Sequence, residues 1–120
     1  MSIIFITGGN TGLGFESARR LIALGHKVYI DCRNEEKGKK AASSIDAHYI
    51  NIDVSDDDSV RKALQEFKEK EDHLDVLINN AGIPGGRIVA KDMKAEIMQE
   101  IYNVNVFGIV RVIHECIPLL

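Results

Sequence analysis

The stretch Ile3-Ile4-Phe5-Ile6-Thr7-Gly8-Gly9-Asn10-Thr11-Gly12-Leu13-Gly14 opens with four apolar residues and passes into a turn rich in glycine. A short continuous apolar run of this kind is expected of a strand covered on both faces. The glycines allow positive φ and let a backbone lie close to whatever it binds. After Gly14, the residues Phe15, Ala18, Leu21 and Ile22 recur at helical spacing until Gly25, a natural C-terminal stop. A strand, a glycine turn and a helix in succession aim unpaired N–H groups and a partial positive charge at one point, which suits a phosphate.

The same alternation continues through the chain. Residues 27–31 read as a second strand, 35–43 as a polar-faced helix and 47–52 as a third strand. Ser55-Asp56-Asp57-Asp58 forms an S-x-x-D capping pattern ahead of Val60, Leu64 and Phe67, which share one face of a helix to about Lys70. A fourth strand follows at 74–79, then the turn-rich Ala81-Gly82-Ile83-Pro84-Gly85-Gly86. From Met93 or Lys94 the pattern is helical almost to the end. Alternating strands and helices imply right-handed crossovers and a parallel sheet between helical layers, in one unit over 1–120.

Composition narrows the classes of function. The 120 residues are 45% hydrophobic and 28% charged, which are globular values. A net charge of −3 and a pI near 5.8 provide no basic field for nucleic acid or an anionic membrane. No apolar run approaches the roughly 20 residues of a bilayer span, and the N-terminus lacks a secretory pattern. Cys32 and Cys116 have no paired spacing, which suggests reduced thiols and a cytoplasmic location. His26, His48, His73 and His114 form no metal-ligand pattern, so no metal is expected.

The glycine turn fits neither of two common phosphate loops. Gly9-x4-Gly14 is followed by Phe15 where a P-loop needs lysine and a hydroxyl, and G-x-G-x-x-G is absent. What stands is T-G-x-x-x-G-x-G, with Thr7, Gly8, Gly12 and Gly14. Asp53-Val54 closes the third strand, Asn79-Asn80-Ala81-Gly82 the fourth, and Asn105-Val106-Phe107-Gly108 lies in the last helix. In this order and spacing, the set resembles the N-terminal half of the short-chain dehydrogenase/reductase family.

That resemblance implies a Rossmann-type, three-layer α/β fold: a partial parallel sheet of order 3-2-1-4 with helices on both faces. It implies that Gly8, Gly12, Gly14 and the Leu13 backbone cradle the pyrophosphate and nicotinamide ribose of a dinucleotide, with Asn10 and Thr11 on the adenosine side. Asp53 and the Val54 backbone then meet the adenine, and Asn80, Ala81 and Gly82 line the adenosine ribose. Asn105 matches an asparagine that sits in a helix break and holds a water in the proton relay. On the residues alone, Asn105 also reads as a buried amide satisfied by neighbouring backbone, and Asp53 as a plain strand end.

Two rules disagree on the cofactor. Asp31, 17 residues after Gly14, fits the acidic residue that holds a ribose 2′-hydroxyl and favours NAD. Aligned with the family, Cys32 takes the acidic position and Arg33 follows, which resembles the NADP-preferring members. The reading leans to NADP over NAD, with Lys37 adding charge and Asp31 opposing it. The family's chemistry also needs a serine and a Y-x-x-x-K. Four residues after Tyr29, Tyr49 and Tyr102 stand Arg33, Asp53 and Val106. The chain therefore reads as the cofactor-binding portion of an NAD(P)-dependent alcohol/carbonyl oxidoreductase, without its catalytic residues. A non-catalytic nucleotide-binding module, or a subunit completing a sheet with another chain, are the alternatives. Its fourth strand would be a sheet edge whose Val76, Leu77 and Ile78 carry none of the charges that usually protect one, so self-association or a completing chain is expected.

Overall fold

The computed structural model describes residues 1–120. β1 (Ile3–Ile6), β2 (Lys27–Cys32), β3 (His48–Asn51) and β4 (Val76–Ile78) form one parallel sheet in the order β3-β2-β1-β4. Ile6 pairs with Ile30 on one side and with Ile78 on the other, so the strands finish nearly level. Alternate residues of a strand face opposite ways. Ile4, Ile6, Val28 and Ile30 therefore pack toward α1 (Gly12–Ala23) and α2 (Glu35–Ile45), meeting Ala18 and Ala42. Ile3, Phe5, Tyr29 and Ile50 face α3 (Asp57–Lys70) and the last helix, where the Phe5 and Phe67 rings stack at 5.9 Å.

Several boundaries differ from the sequence reading. α2 runs on to Ile45, because Asp46 takes a left-handed φ of 63° and its N–H still reaches the Ala42 carbonyl. α3 is capped by Asp56, whose Oδ1 accepts from the Asp58 and Ser59 N–H groups. Ser55 is not the cap, since its hydroxyl donates instead to Asp53 Oδ1 at 2.6 Å. β4 is shorter than 74–79: the Leu74 N–H turns away to the Leu119 carbonyl at 3.0 Å.

The last helix is three pieces rather than one. α4 (Ala95–Tyr102) passes into a wider, π-type turn at Asn103–Phe107 and resumes as α5 (Gly108–Cys116). Single π turns inside α-helices commonly mark functional positions. Val104, Val112 and Cys116 anchor this helix on the sheet. No helix is long and apolar enough to cross a membrane.

Candidate functional site

A cleft of about 680 Å³ opens at the C-terminal ends of the strands, where an open α/β sheet takes its ligands. Three turns build it. The turn after β1 carries Gly8 and Gly12 at φ of 65° and 58°, conformations that favour glycine. Gly8 is also hemmed in: a Cβ there would lie 2.9 Å from the Ala81 Cα. Thr7 ties this turn to the end of β4, its Oγ1 accepting from the N–H groups of both Asn80 and Ala81 at 3.0 Å. Asn80 answers with its side chain, which donates to the Gly8 carbonyl at 3.1 Å.

The turn after β2 brings Arg33 and Lys37 to the cleft, and both stay out of every ion pair in the chain. Asn34 caps α2 by accepting from the Lys37 N–H at 2.9 Å, a cap the sequence reading passed over although Asn34-Glu35-Glu36 has the composition of one. From β3, Asn51 Nδ2 donates to the Cys32 and Arg33 carbonyls at 3.0 Å and so holds the turn in place. Asp31 is buried beneath. Its Oδ1 accepts from the Gly8 N–H at 2.6 Å, while Oδ2 has no partner. Burial pushes this carboxyl up to about 7, with the Gly8 N–H pulling the other way.

The third wall comes from the loop after β3 and the π turn. Asp53 Oδ1 is engaged by the Ser55 N–H and hydroxyl, and the Asp53 N–H donates to Ser59 Oγ at 2.8 Å. Asn105 spends its amide on one residue: Oδ1 accepts from the Ile83 N–H and Nδ2 donates to the Ile83 carbonyl, both at 2.8 Å. Its helix break and its satisfaction by neighbouring backbone thus occur together.

Of the residues expected from the sequence, Gly8, Asn10, Thr11, Arg33, Asp53, Val54, Asn80, Ala81 and Gly82 line the cleft. Gly12, Leu13, Gly14 and Asn105 do not. Leu13 is 83% exposed, and Gly12 faces open space in which a Cβ would meet nothing within 4 Å. Gly14 instead packs under Asn80 and the Gly8 carbonyl. Ile52, Ile83 and Val104 complete the lining, and sequence periodicity gave no reason to single them out.

Neither Tyr29 nor Tyr49 stands ready as an acid. Tyr29 is buried and donates to Glu71 at 2.7 Å, and burial first, then that carboxylate, pushes its phenol above the usual range. The Tyr49 hydroxyl donates to the Cys32 carbonyl at 3.0 Å, and burial raises it too.

A four-stranded parallel sheet of this order, crossed by helices on both faces and opening at a glycine turn, defines a Rossmann-type α/β protein. The model of one family, short chain dehydrogenase, matches residues 2–120. The chain belongs to that family. Retinol dehydrogenase 12 of Bos taurus is 44% identical over 88 residues, covering 68% of this chain and 28% of that protein. A 3-ketoacyl-(acyl-carrier-protein) reductase from Brucella melitensis, solved with NADH, superposes with a TM-score of 0.92 at 30% identity. It covers 98% of this chain and 49% of its own. An actinorhodin polyketide ketoreductase solved with NADPH gives 0.87 at 28% identity, covering 97% of this chain and 46% of that one. The chain spans about half the length of these structures and less of the retinol dehydrogenase.

Proposed function

We propose that this chain binds a nicotinamide dinucleotide as the cofactor portion of an alcohol/carbonyl oxidoreductase. The observation that carries the reading is the cleft over the glycine turn, lined there by Gly8, at φ 65° and with the Ala81 Cα 2.9 Å from where a Cβ would stand, and by Asn10 and Thr11. The residues fit such a group in two further ways. Arg33 and Lys37 are unpaired cations at the rim, and buried Asp31 holds an acceptor oxygen without a donor. Hydride exchange with the alcohol/carbonyl pair is the chemistry that the nicotinamide supplies when bound.

In this reading Gly8, Gly12 and Gly14 with Leu13 keep the turn open to the pyrophosphate, with Asn10 and Thr11 beside it. Asp53 and Val54 face the adenine, and Asn80, Ala81 and Gly82 the adenosine ribose. Arg33 offers a planar fork to a 2′-phosphate, which supports NADP over NAD. Asn105 shapes the nicotinamide side by fixing Ile83. The two unpaired cysteines support a cytoplasmic setting.

A second reading, a sheet completed by another chain, has its own support. β4 is a sheet edge with Val76 40% exposed, and Val110 and Ile113 leave α5 with exposed apolar side chains. Such an edge is open to strand pairing.

Fluorescence titration with NADPH and NADH tests the first reading, with circular dichroism as the check on fold. Gly12→Val should abolish binding by placing a branched side chain in the pyrophosphate path, and Arg33→Ala should weaken NADPH more than NADH. Equal NADPH affinity in wild type and Gly12→Val, both folded, overturns it.

A further inference from the structure

Arg111 interrupts an otherwise apolar run, Gly108-Ile109-Val110-Arg111-Val112-Ile113. A lone arginine in such a run is usually a solvated side chain. Here the side chain is only 21% exposed and its guanidinium makes four hydrogen bonds. Nε donates to Asp57 Oδ1 at 2.5 Å. Nη1 donates to the Val54 carbonyl at 3.1 Å and the Asn103 carbonyl at 3.0 Å, and Nη2 to Asn103 Oδ1 at 2.6 Å. Asn103 extends the chain of bonds, its Nδ2 donating to the Ser55 carbonyl at 3.3 Å.

These acceptors belong to the two segments that together make the third wall of the cleft. Val54 lies in the loop that carries Asp53, and Asn103 opens the π turn that carries Val104 and Asn105. A second, independent contact joins the same two places. At Gly108 a Cβ would lie 2.9 Å from Val54 Cγ2 and 3.2 Å from the Val54 carbonyl, so helix and loop meet at backbone distance.

We propose that Arg111 is a positioning residue for the cleft, locking the loop at 53–55 and the Asn103–Phe107 turn into one unit. The inference rests on the reading that this cleft takes a nicotinamide dinucleotide. A guanidinium is rigid and planar, with its N–H groups in fixed directions. Neither the Val54 nor the Asn103 carbonyl can move without losing its bond or carrying the other along. The Asp57 pair does not supply this coupling. Asp57 is 71% exposed, and exposed pairs of this kind contribute little. The positioning therefore lies in the three bonds to Val54 and Asn103.

Three substitutions separate these roles. Arg111→Lys keeps the charge opposite Asp57 but cannot reach three further acceptors at once. Asn103→Ala removes one arm, and Asp57→Asn removes only the ion pair. Titration uses NADP and, as the adenosine half alone, 2′,5′-ADP. Arg111→Lys and Asn103→Ala should each weaken both ligands about tenfold. Asp57→Asn should leave both within about twofold. Without ligand, amide NMR of Arg111→Lys should show the Ser55 and Ile83 signals moving together. Wild-type affinity in folded Arg111→Lys overturns the proposal, as does an Asp57→Asn loss equal to that of Arg111→Lys. If wild type binds neither ligand, the cofactor reading itself fails; unmoved Ser55 and Ile83 amides would instead condemn the lock alone.

Discussion

At the glycine-turn end of the cleft the backbone is the building material, whereas at the π-turn end long polar side chains take that part. Gly8 and Gly14 let main chain approach main chain, with Ala81, Asn80 and the Gly8 carbonyl packed where a Cβ would stand. At the other end, Asn105 reaches 22 residues back to Ile83 and Arg111 reaches 57 back to Val54. At Gly8 and Gly14 the first construction has no room for an added atom. The second tolerates atoms but depends on keeping a donor and an acceptor in step. Buried Asp31 belongs to both kinds, since it is packed like the glycines yet fastened to the Gly8 N–H by a carboxylate.

The strongest way to break the glycine end is Gly14→Ala. The new Cβ would press on the Asn80 side-chain amide and come within 2.9 Å of the Gly8 carbonyl. Overpacking of this sort costs about 2–3 kcal/mol, enough to outweigh the gain in helix propensity. Urea unfolding followed by circular dichroism measures it; a variant as stable as wild type would mean that the turn gives way easily.

The matching break at the other end is Asn105→Ala. It strips the Ile83 N–H and carbonyl of their partners, at a cost of about 2 kcal/mol. Hydrogen exchange at the Ile83 amide should speed up while the Gly8 and Ala81 amides keep their protection. Slowed or unchanged exchange at Ile83 would show that the π turn does not depend on this amide.

Asp31→Asn sharpens the comparison with a smaller effect that depends on pH. Because burial raises the carboxyl to about 7 from its ordinary value of 3.8, the folded chain keeps a proton that the unfolded chain has released between those values. Stability from this group is therefore present at low pH and falls as pH rises toward and through 7. Between pH 6 and 8 the loss is about 1 kcal/mol. Asparagine keeps an oxygen for the Gly8 N–H and carries no charge, so its stability should hardly change over that interval. Equal pH slopes for the two proteins would place the Asp31 carboxyl in water.

Local signals made much of the molecule legible. The run Ile3–Ile6 sits at the centre of its sheet because β-branched and aromatic residues fit a strand packed on both faces. Phe15, Ala18, Leu21 and Ile22 announced α1, though the helix begins at Gly12, ahead of its first apolar residue. Capping was harder to read. Ser55 and Asp56 are equally good caps by type, and Asp56 holds the position while Ser55 serves Asp53. The π turn left no mark in the spacing, because Ile101, Asn105 and Ile109 follow one another at the interval of an ordinary helix right across it.

The order of strands and helices, the glycine turn and the positions of Asp53, Asn80 and Asn105 were determined by the sequence alone, since each depends on neighbours a few residues away or on a motif carried whole. Only the tertiary structure decided what those residues hold. Asn105 took Ile83, Asp31 took Gly8, and Arg111 took Val54 and Asn103. A polar side chain has many possible partners along the chain, and burial leaves it the few that packing brings within about 3 Å. Spacing within one segment cannot express that choice, because it is made between elements tens of residues apart.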